Sequence, residues 1–173
     1  CRPPRGRRTL RRMTDSRWNT FDTTLLLLAA ALLLFGLGSN SLHNEDEALY
    51  ALVQTNVVAS GDWIDFEALG EPWFNKAPLR IWASAALGTT FGVNEWTVRL
   101  PSALFALGAV AALLWSGRLL YDAWSARWAA LVLLTSTQFV YHHCGRTGEM
   151  DSGLLLAWIL AVGFAIKTRD HPR

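Results

Sequence analysis

Charge is what this sequence has least of. Asp, Glu, Lys and Arg make up 17% of its 173 residues, against about 25% in an ordinary globular domain. The 51% hydrophobic share discriminates less, because globular domains also approach half apolar. Cysteine is nearly absent too: Cys1 and Cys144 form no CxxC pair and no disulfide framework. There is no low-complexity tract and no internal repeat, which argues against a solenoid. The first residue is Cys rather than Met, so Met13 is a candidate start and Cys1–Arg12 is read as upstream sequence.

Long apolar runs are what the chain has instead. Thr23–Leu37 carries TLLLLAAALLLFGL without a charge, near the short limit of the roughly 17–25 residues that cross a hydrocarbon core. A signal peptide shares the basic flank and the apolar run, but Ser39-Asn40-Ser41 is a poor cleavage site and further runs follow. An uncleaved first span, 23–39, is the better reading, preceded by a basic tail, 1–22. A second span covers 101–120 and a third 123–141, joined by a tight hairpin at Tyr121-Asp122. An outer loop, 142–151, leads to a short fourth span, 152–166, with 167–173 as a cytoplasmic end. Such repeated uncharged runs argue against buried helices of a soluble bundle. The nine Trp suit many bilayer–water boundaries.

Basic residues set the orientation. With the N-terminus inside, 12 Lys and Arg fall on the cytoplasmic side and only Lys76, Arg80, Arg99 and Arg146 outside, while 10 of 14 acidic residues lie outside. The exported segment, 40–100, holds two amphipathic stretches, Glu47–Ser60 and Pro78–Phe91, ended by Gly61 and Gly92. Both are too mixed or too short to span, so they are expected to lie at the outer surface. The pattern predicts an all-α integral membrane protein: four transmembrane helices plus two surface helices in the first exported loop.

Asp46 and Glu47 stand where the first span leaves the bilayer. Asn44 or Asp46 can cap the helix that follows; a carboxylate here can equally act as general base toward an acceptor hydroxyl. Lys76 suits a phosphate contact, with interfacial snorkelling as the plainer role. Asp151 opens the fourth span on the same outer side. Two carboxylates with a Lys or Arg at one face can hold a lipid phosphate, alone or through a divalent cation. His142, His143 and Cys144 form a soft-ligand cluster, but adjacent histidines point apart on a helix, and polar interfacial packing suits them better than zinc.

Six short motifs follow in order: Asp46-Glu47-Ala48-Leu49-Tyr50, Ser60-Gly61-Asp62-Trp63, Phe74-Asn75-Lys76-Ala77-Pro78, Phe91-Gly92-Val93-Asn94-Glu95, Arg99-Leu100-Pro101-Ser102-Ala103, and Arg146 five residues before Asp151. Together they resemble the N-terminal part of the dolichyl-phosphate-mannose protein mannosyltransferase-like membrane glycosyltransferases, a group that includes aminoarabinose (lipid A) transferases. The resemblance implies a C-type glycosyltransferase fold. It implies Asp46 as catalytic base, Asp151 as the second acidic residue of the cavity, and Lys76 as a phosphate contact. Glu47, Tyr50 and Arg146 fall within the motifs as substrate-binding candidates. Ala77 replaces a Pro that the family often has. Such enzymes run to several hundred residues, so the chain is expected to be a fragment.

The function expected is sugar transfer from a polyprenyl-phosphate donor to a lipid, glycan or protein acceptor, on the extracytoplasmic face of a bacterial inner membrane. No nucleic-acid partner is expected, and no cofactor beyond a candidate divalent cation. The alternative is a small non-catalytic four-span protein binding a polyprenyl lipid or a partner subunit. A transporter is disfavoured because the spans carry almost no ionisable residues.

Overall fold

The computed structural model describes residues 18–42 and 45–170. The tail with Met13, the candidate cap Asn44, and Arg173 lie outside the described residues. Helix α1, Thr20–Leu34, starts on a capping box: Asn19 Oδ1 accepts from Asp22 N at 3.2 Å, and Asp22 Oδ2 accepts from Asn19 N at 2.9 Å. It ends where Phe35 turns extended and Gly36 takes φ 63°. The helix is therefore shorter than the apolar run 23–39 suggested.

The segment after α1 folds into helix α2, Glu45–Ser60, a short hairpin of β1, Glu67–Ala68, and β2, Glu71–Pro72, and helix α3, Leu79–Phe91. Gly61 and Gly92 stop α2 and α3 at φ 73° and 78°. The hairpin was not expected. Its tip, Leu69-Gly70, has φ 56° and 81°, so Leu69 occupies the left-handed region that normally takes Asn or Gly. Tyr50, Val53, Val57, Phe66, Trp73, Ile81 and Ala85 form one small core beneath these elements.

Helix α4, Glu95–Leu120, begins six residues before the expected span. Asn94 accepts from Trp96 N and Thr97 N, both at 3.1 Å, and this cap starts the helix ahead of the apolar run. Helix α5, Ala123–Thr135, is capped by Asp122, which accepts from Ser125 N at 2.7 Å. The expected third span, 123–141, is not one helix: Ser136 turns extended, and a π-helical turn, Gln138–His142, follows. Helix α6 runs Asp151–Asp170.

A second, larger core joins α1, α4, α5 and the π turn through Leu25, Ala29, Leu33, Val110, Leu114 and Phe139. Helix α6 packs along α4, with Gly153 against Phe105 and Gly163 against Trp115. Among the described residues two helices are long and apolar enough to cross a membrane, Glu95–Leu120 and Asp151–Arg169; α1 is a shorter apolar helix.

At the N-terminal end of α1, Asp22 is fully buried and pairs with Arg118 of α4 at 2.6 Å and Arg127 of α5 at 2.9 Å. Trp18 and Phe21 cover these guanidiniums at 4.7 and 5.3 Å. One carboxylate thus fastens three helices.

Candidate functional site

Asp46 lies in the first turn of α2 and Asp151 is the first residue of α6; both are exposed. What relates them is their neighbour Glu47, which is fully buried. Arg99 of α4 donates to Glu47 Oε1 from Nε at 2.8 Å and to Oε2 from Nη2 at 3.0 Å. Gly148 N donates to the same Oε1 at 2.7 Å. The turn bearing Asp46 and the loop leading into Asp151 are therefore hydrogen-bonded to one carboxylate. Arg99 also donates to the carbonyls of Leu37, Asn40 and Ser41 at 2.7–3.0 Å, which fastens the linker between α1 and α2.

The loop before α6 is held from a second side, where Ser102 Oγ donates to Glu149 O at 2.6 Å. Glu149 itself is 4% exposed. Burial first, then the negative charges of Asp46 and Asp151, push its carboxyl above the usual range; His143 and Arg80 pull the other way. Tyr50 is 1% exposed, with its ring edge against Trp73 at 5.9 Å and Arg80 over its face at 5.2 Å. Burial, followed by Asp46 and Glu149, pushes its hydroxyl up to about 12. Asp46, Glu149 and Asp151 all raise the hydroxyl of this one buried tyrosine, and Arg80 lowers it.

Arg80 stands behind this group. It is 3% exposed, and its Nη2 donates to Val98 O at 2.7 Å. Its buried Nε and Nη1 have no hydrogen-bond partner. Burial lowers it to about 10, so it remains charged at neutral pH. Gly148 is required beside it: a Cβ there would lie 2.6 Å from Arg80 Nη2 and 2.8 Å from Val98 Cγ1.

The other candidates fall elsewhere. Lys76 is exposed on the bend before α3 and takes no part in the bonding around Glu47. Arg146 donates from Nη1 to Leu32 O at 2.6 Å, at the C-terminal end of α1, and lies over Tyr141 at 5.7 Å. It shares a cavity of about 210 Å³ with Glu47, Arg99, Asn40 and Thr147. His142 and His143 are exposed. Burial pushes the half-buried Cys144 thiol up to about 11, so it is a poor nucleophile. Among the described residues no group of three His, Cys, Asp or Glu side chains is disposed to hold a metal ion.

Sequence reasoning passed over Arg80, Glu149 and Asp22. Arg80 had a readable signal. It shares the helical stripe of Ile81, Ser84, Ala85 and Gly88, all buried, so an arginine there faces inward.

An apolar helical core carrying a segment of two helices and a hairpin is a fold with a solved counterpart. The crystal structure of ArnT from Cupriavidus metallidurans bound to undecaprenyl phosphate shares it, with a TM-score of 0.76 and 24% identity, over 88% of this chain and 28% of that one. Residues 75–173 match the dolichyl-phosphate-mannose-protein mannosyltransferase family, and the chain belongs to it. It is 35% identical over 155 residues to the undecaprenyl phosphate-alpha-4-amino-4-deoxy-L-arabinose arabinosyl transferase of Pseudomonas savastanoi, covering 86% of this chain and 28% of that protein. It is 30% identical over 138 residues to the undecaprenyl phosphate-alpha-4-amino-4-deoxy-L-arabinose arabinosyl transferase 2 of Sodalis glossinidius, covering 79% of this chain and 24% of that protein. The chain spans about a quarter of the length of these relatives.

Proposed function

We propose that this chain is the part of a polyprenyl-phosphate-sugar-dependent glycosyltransferase that supplies its acceptor-activating carboxylate. The observation that carries the reading is that one buried carboxylate, Glu47, holds both the turn bearing the exposed Asp46 and the loop that leads to the exposed Asp151. In this reading Asp46 takes the proton of an acceptor hydroxyl as that oxygen attacks the anomeric carbon. The bond from the anomeric carbon to the lipid phosphate breaks, and polyprenyl phosphate leaves with the electron pair. Attack opposite the leaving group inverts the anomeric centre. Lys76 is the cation assigned to the departing phosphate, and Asp151 the second carboxylate of the cavity. The names of the relatives, which specify an undecaprenyl-phosphate-linked sugar, support the donor class.

The same reading takes α1, α4, α5 with its π turn, and α6 as four spans, with α2, α3 and the hairpin on the extracytoplasmic side of a bacterial inner membrane. The cationic residues Arg118, Arg127, Lys167 and Arg169 on the opposite side support that orientation. The acceptor is a lipid, glycan or protein hydroxyl. The test is to supply the complete protein with polyprenyl-phosphate-linked sugars and follow release of free polyprenyl phosphate. Acceptor-dependent release is expected, reduced in Lys76→Met. No release with any donor, from protein that is folded and membrane-inserted, contradicts the assignment.

A further inference from the structure

Arg146 stands in a fixed place, set by three features of the fold. Gly145 leaves no room for a side chain, since a Cβ there would collide with Leu33 Cδ2, so the loop presses against the end of α1. Gly145 N and Arg146 N donate to Phe139 O and Val140 O of the π turn at 2.8 and 3.0 Å. Arg146 Nη1 then donates to Leu32 O at 2.6 Å, in the last turn of α1, where carbonyls lack intrahelical partners. That turn holds no basic residue of its own, so the arginine supplies the cation that a helix C-terminus favours.

Capping engages one N–H of a guanidinium that carries five in a planar fork. Among the described residues the bond to Leu32 is the one hydrogen bond of this side chain, and its ion pairs are none. Its Nε and Nη2 are not among the buried nitrogens without a partner, so they reach solvent where the residue lines the cavity of about 210 Å³. The other charged walls of that cavity cancel: Glu47 accepts two bonds from Arg99 and one from Gly148 N. Arg146 therefore sets the sign. Asn40, on the linker after α1, and Thr147 add an amide and a hydroxyl to the lining. The space is below the roughly 300–1,000 Å³ of a site that encloses a whole drug-sized ligand, and it suits one compact charged group.

We propose that this cavity binds a phosphate group, either the free ion or the head of a lipid, with Arg146 as its cation and Asn40 and Thr147 as neutral donors. The guanidinium fork matches two phosphate oxygens. Donors from a separate segment of chain suit the remaining oxygens of a tetrahedral anion, which the flat face of a carboxylate does not have. The lining does not include Lys76, so this is a second phosphate contact, and its occupancy requires no sugar transfer. Glu47 forms one wall of it, which sets the bound group beside the turn that bears Asp46.

The test is direct binding of radiolabelled inorganic phosphate and radiolabelled dodecyl phosphate to the complete protein, in neutral detergent at constant ionic strength. A Lys76→Met background removes the phosphate contact assigned to the transfer step. Saturable binding of at least one probe is expected. Asn40 is exposed and holds Arg99 through its backbone carbonyl, so Asn40→Asp keeps the fold while placing a like charge in the cavity wall. It is expected to weaken binding about tenfold or more, and Arg146→Gln to do the same with some loss of stability at the end of α1. The two probes identify the source: inorganic phosphate that displaces dodecyl phosphate at equal concentration marks a site for the free ion, and dodecyl phosphate held far more tightly marks a site for a lipid head group. No saturable binding of either probe overturns the proposal. So does binding that Asn40→Asp leaves at full strength, whatever Arg146→Gln does to stability, because a purely capping Arg146 predicts that result. The measurement needs no transfer activity, so failure of this site and failure of the glycosyltransferase reading are told apart.

Discussion

Arg99 grips Glu47 with two nearly parallel hydrogen bonds, at 2.8 and 3.0 Å, across 52 residues of sequence and almost wholly out of solvent. A bidentate guanidinium–carboxylate pair fixes direction as well as distance. Here the direction matters because Asp46 precedes Glu47 on α2, and successive helical residues point about 100° apart. With Glu47 held inward, Asp46 is turned outward.

Breaking that grip leaves a buried, uncompensated charge. Glu47→Ala strands the Arg99 guanidinium and the Gly148 N–H together, and is expected to destabilise the chain by about 3–5 kcal/mol. Denaturant unfolding in detergent measures it. A loss below about 1 kcal/mol, the scale of an exposed pair, contradicts the structural role assigned to Glu47.

Gly148 is fixed by space rather than by backbone strain. In Gly148→Ala the new methyl meets Arg80 Nη2, Val98 Cγ1 and Glu47 Cγ at 2.6, 2.8 and 3.2 Å. Overpacking of this kind typically costs about 1–3 kcal/mol, and it falls where the loop is bonded to Glu47. Thermal unfolding of Gly148→Ala is expected to show that loss, and transfer by the complete protein to fall with it. Wild-type stability and rate together contradict the packing argument.

At the other end of the molecule, Asp22→Asn removes the charge shared by Arg118 and Arg127. Two largely covered arginines then face each other without their carboxylate, and the expected loss is about 3–5 kcal/mol. The same unfolding measurement decides it. Changing all three residues together to apolar groups of similar volume is expected to cost less than Asp22→Asn alone, since the penalty lies in the stranded charges.

How much of this was legible in the sequence depended on whether the cause was local. The stops at Gly61 and Gly92 and the start of α6 near Asp151 come from neighbouring residues, and they were readable. Asp46 and Glu47 were readable as candidates, because they follow an apolar run. Which of the two faces outward was not readable, because Arg99 decides it from another helix. The π turn after α5 was hidden as well: apolar composition reports what a segment can bury, not which carbonyl each N–H finds. Asp22 was passed over, because its buried pairs needed Arg118 and Arg127 brought to it from other helices. Arg146 read as a substrate contact from its spacing to Asp151, and its bond to the carbonyl of Leu32 could not be read from that spacing.

Leu69 offers a change in the stabilising direction. It holds φ 56° at the hairpin tip and is 83% exposed, so its side chain contributes little packing while its backbone is strained. Leu69→Asn, beside Gly70, gives the dipeptide this turn prefers and is expected to stabilise by about 1 kcal/mol. A higher unfolding midpoint confirms the strain, and a lower one means the leucine is packed against something that the chain alone does not contain.

Stability also carries the sign of the Glu149 shift. A carboxyl raised above its unfolded value contributes stability that is present below the unfolded value, near ~4.3, and is lost as pH rises through the folded one. Glu149→Gln removes that loss. The variant is expected to be more stable than wild type at pH 8, with the advantage shrinking toward pH 4. An advantage that grows on acidification contradicts the direction of the shift.

The most direct test of the central claim is the transfer rate of the complete protein carrying Asp46→Asn, measured beside wild type with a polyprenyl-phosphate-linked sugar and its acceptor. General-base catalysis is worth about 10²–10⁴-fold. The account predicts a fall of that size with unfolding behaviour unchanged, since Asp46 is exposed while Glu47 makes the structural bonds. A folded Asp46→Asn protein that transfers sugar at the wild-type rate contradicts it.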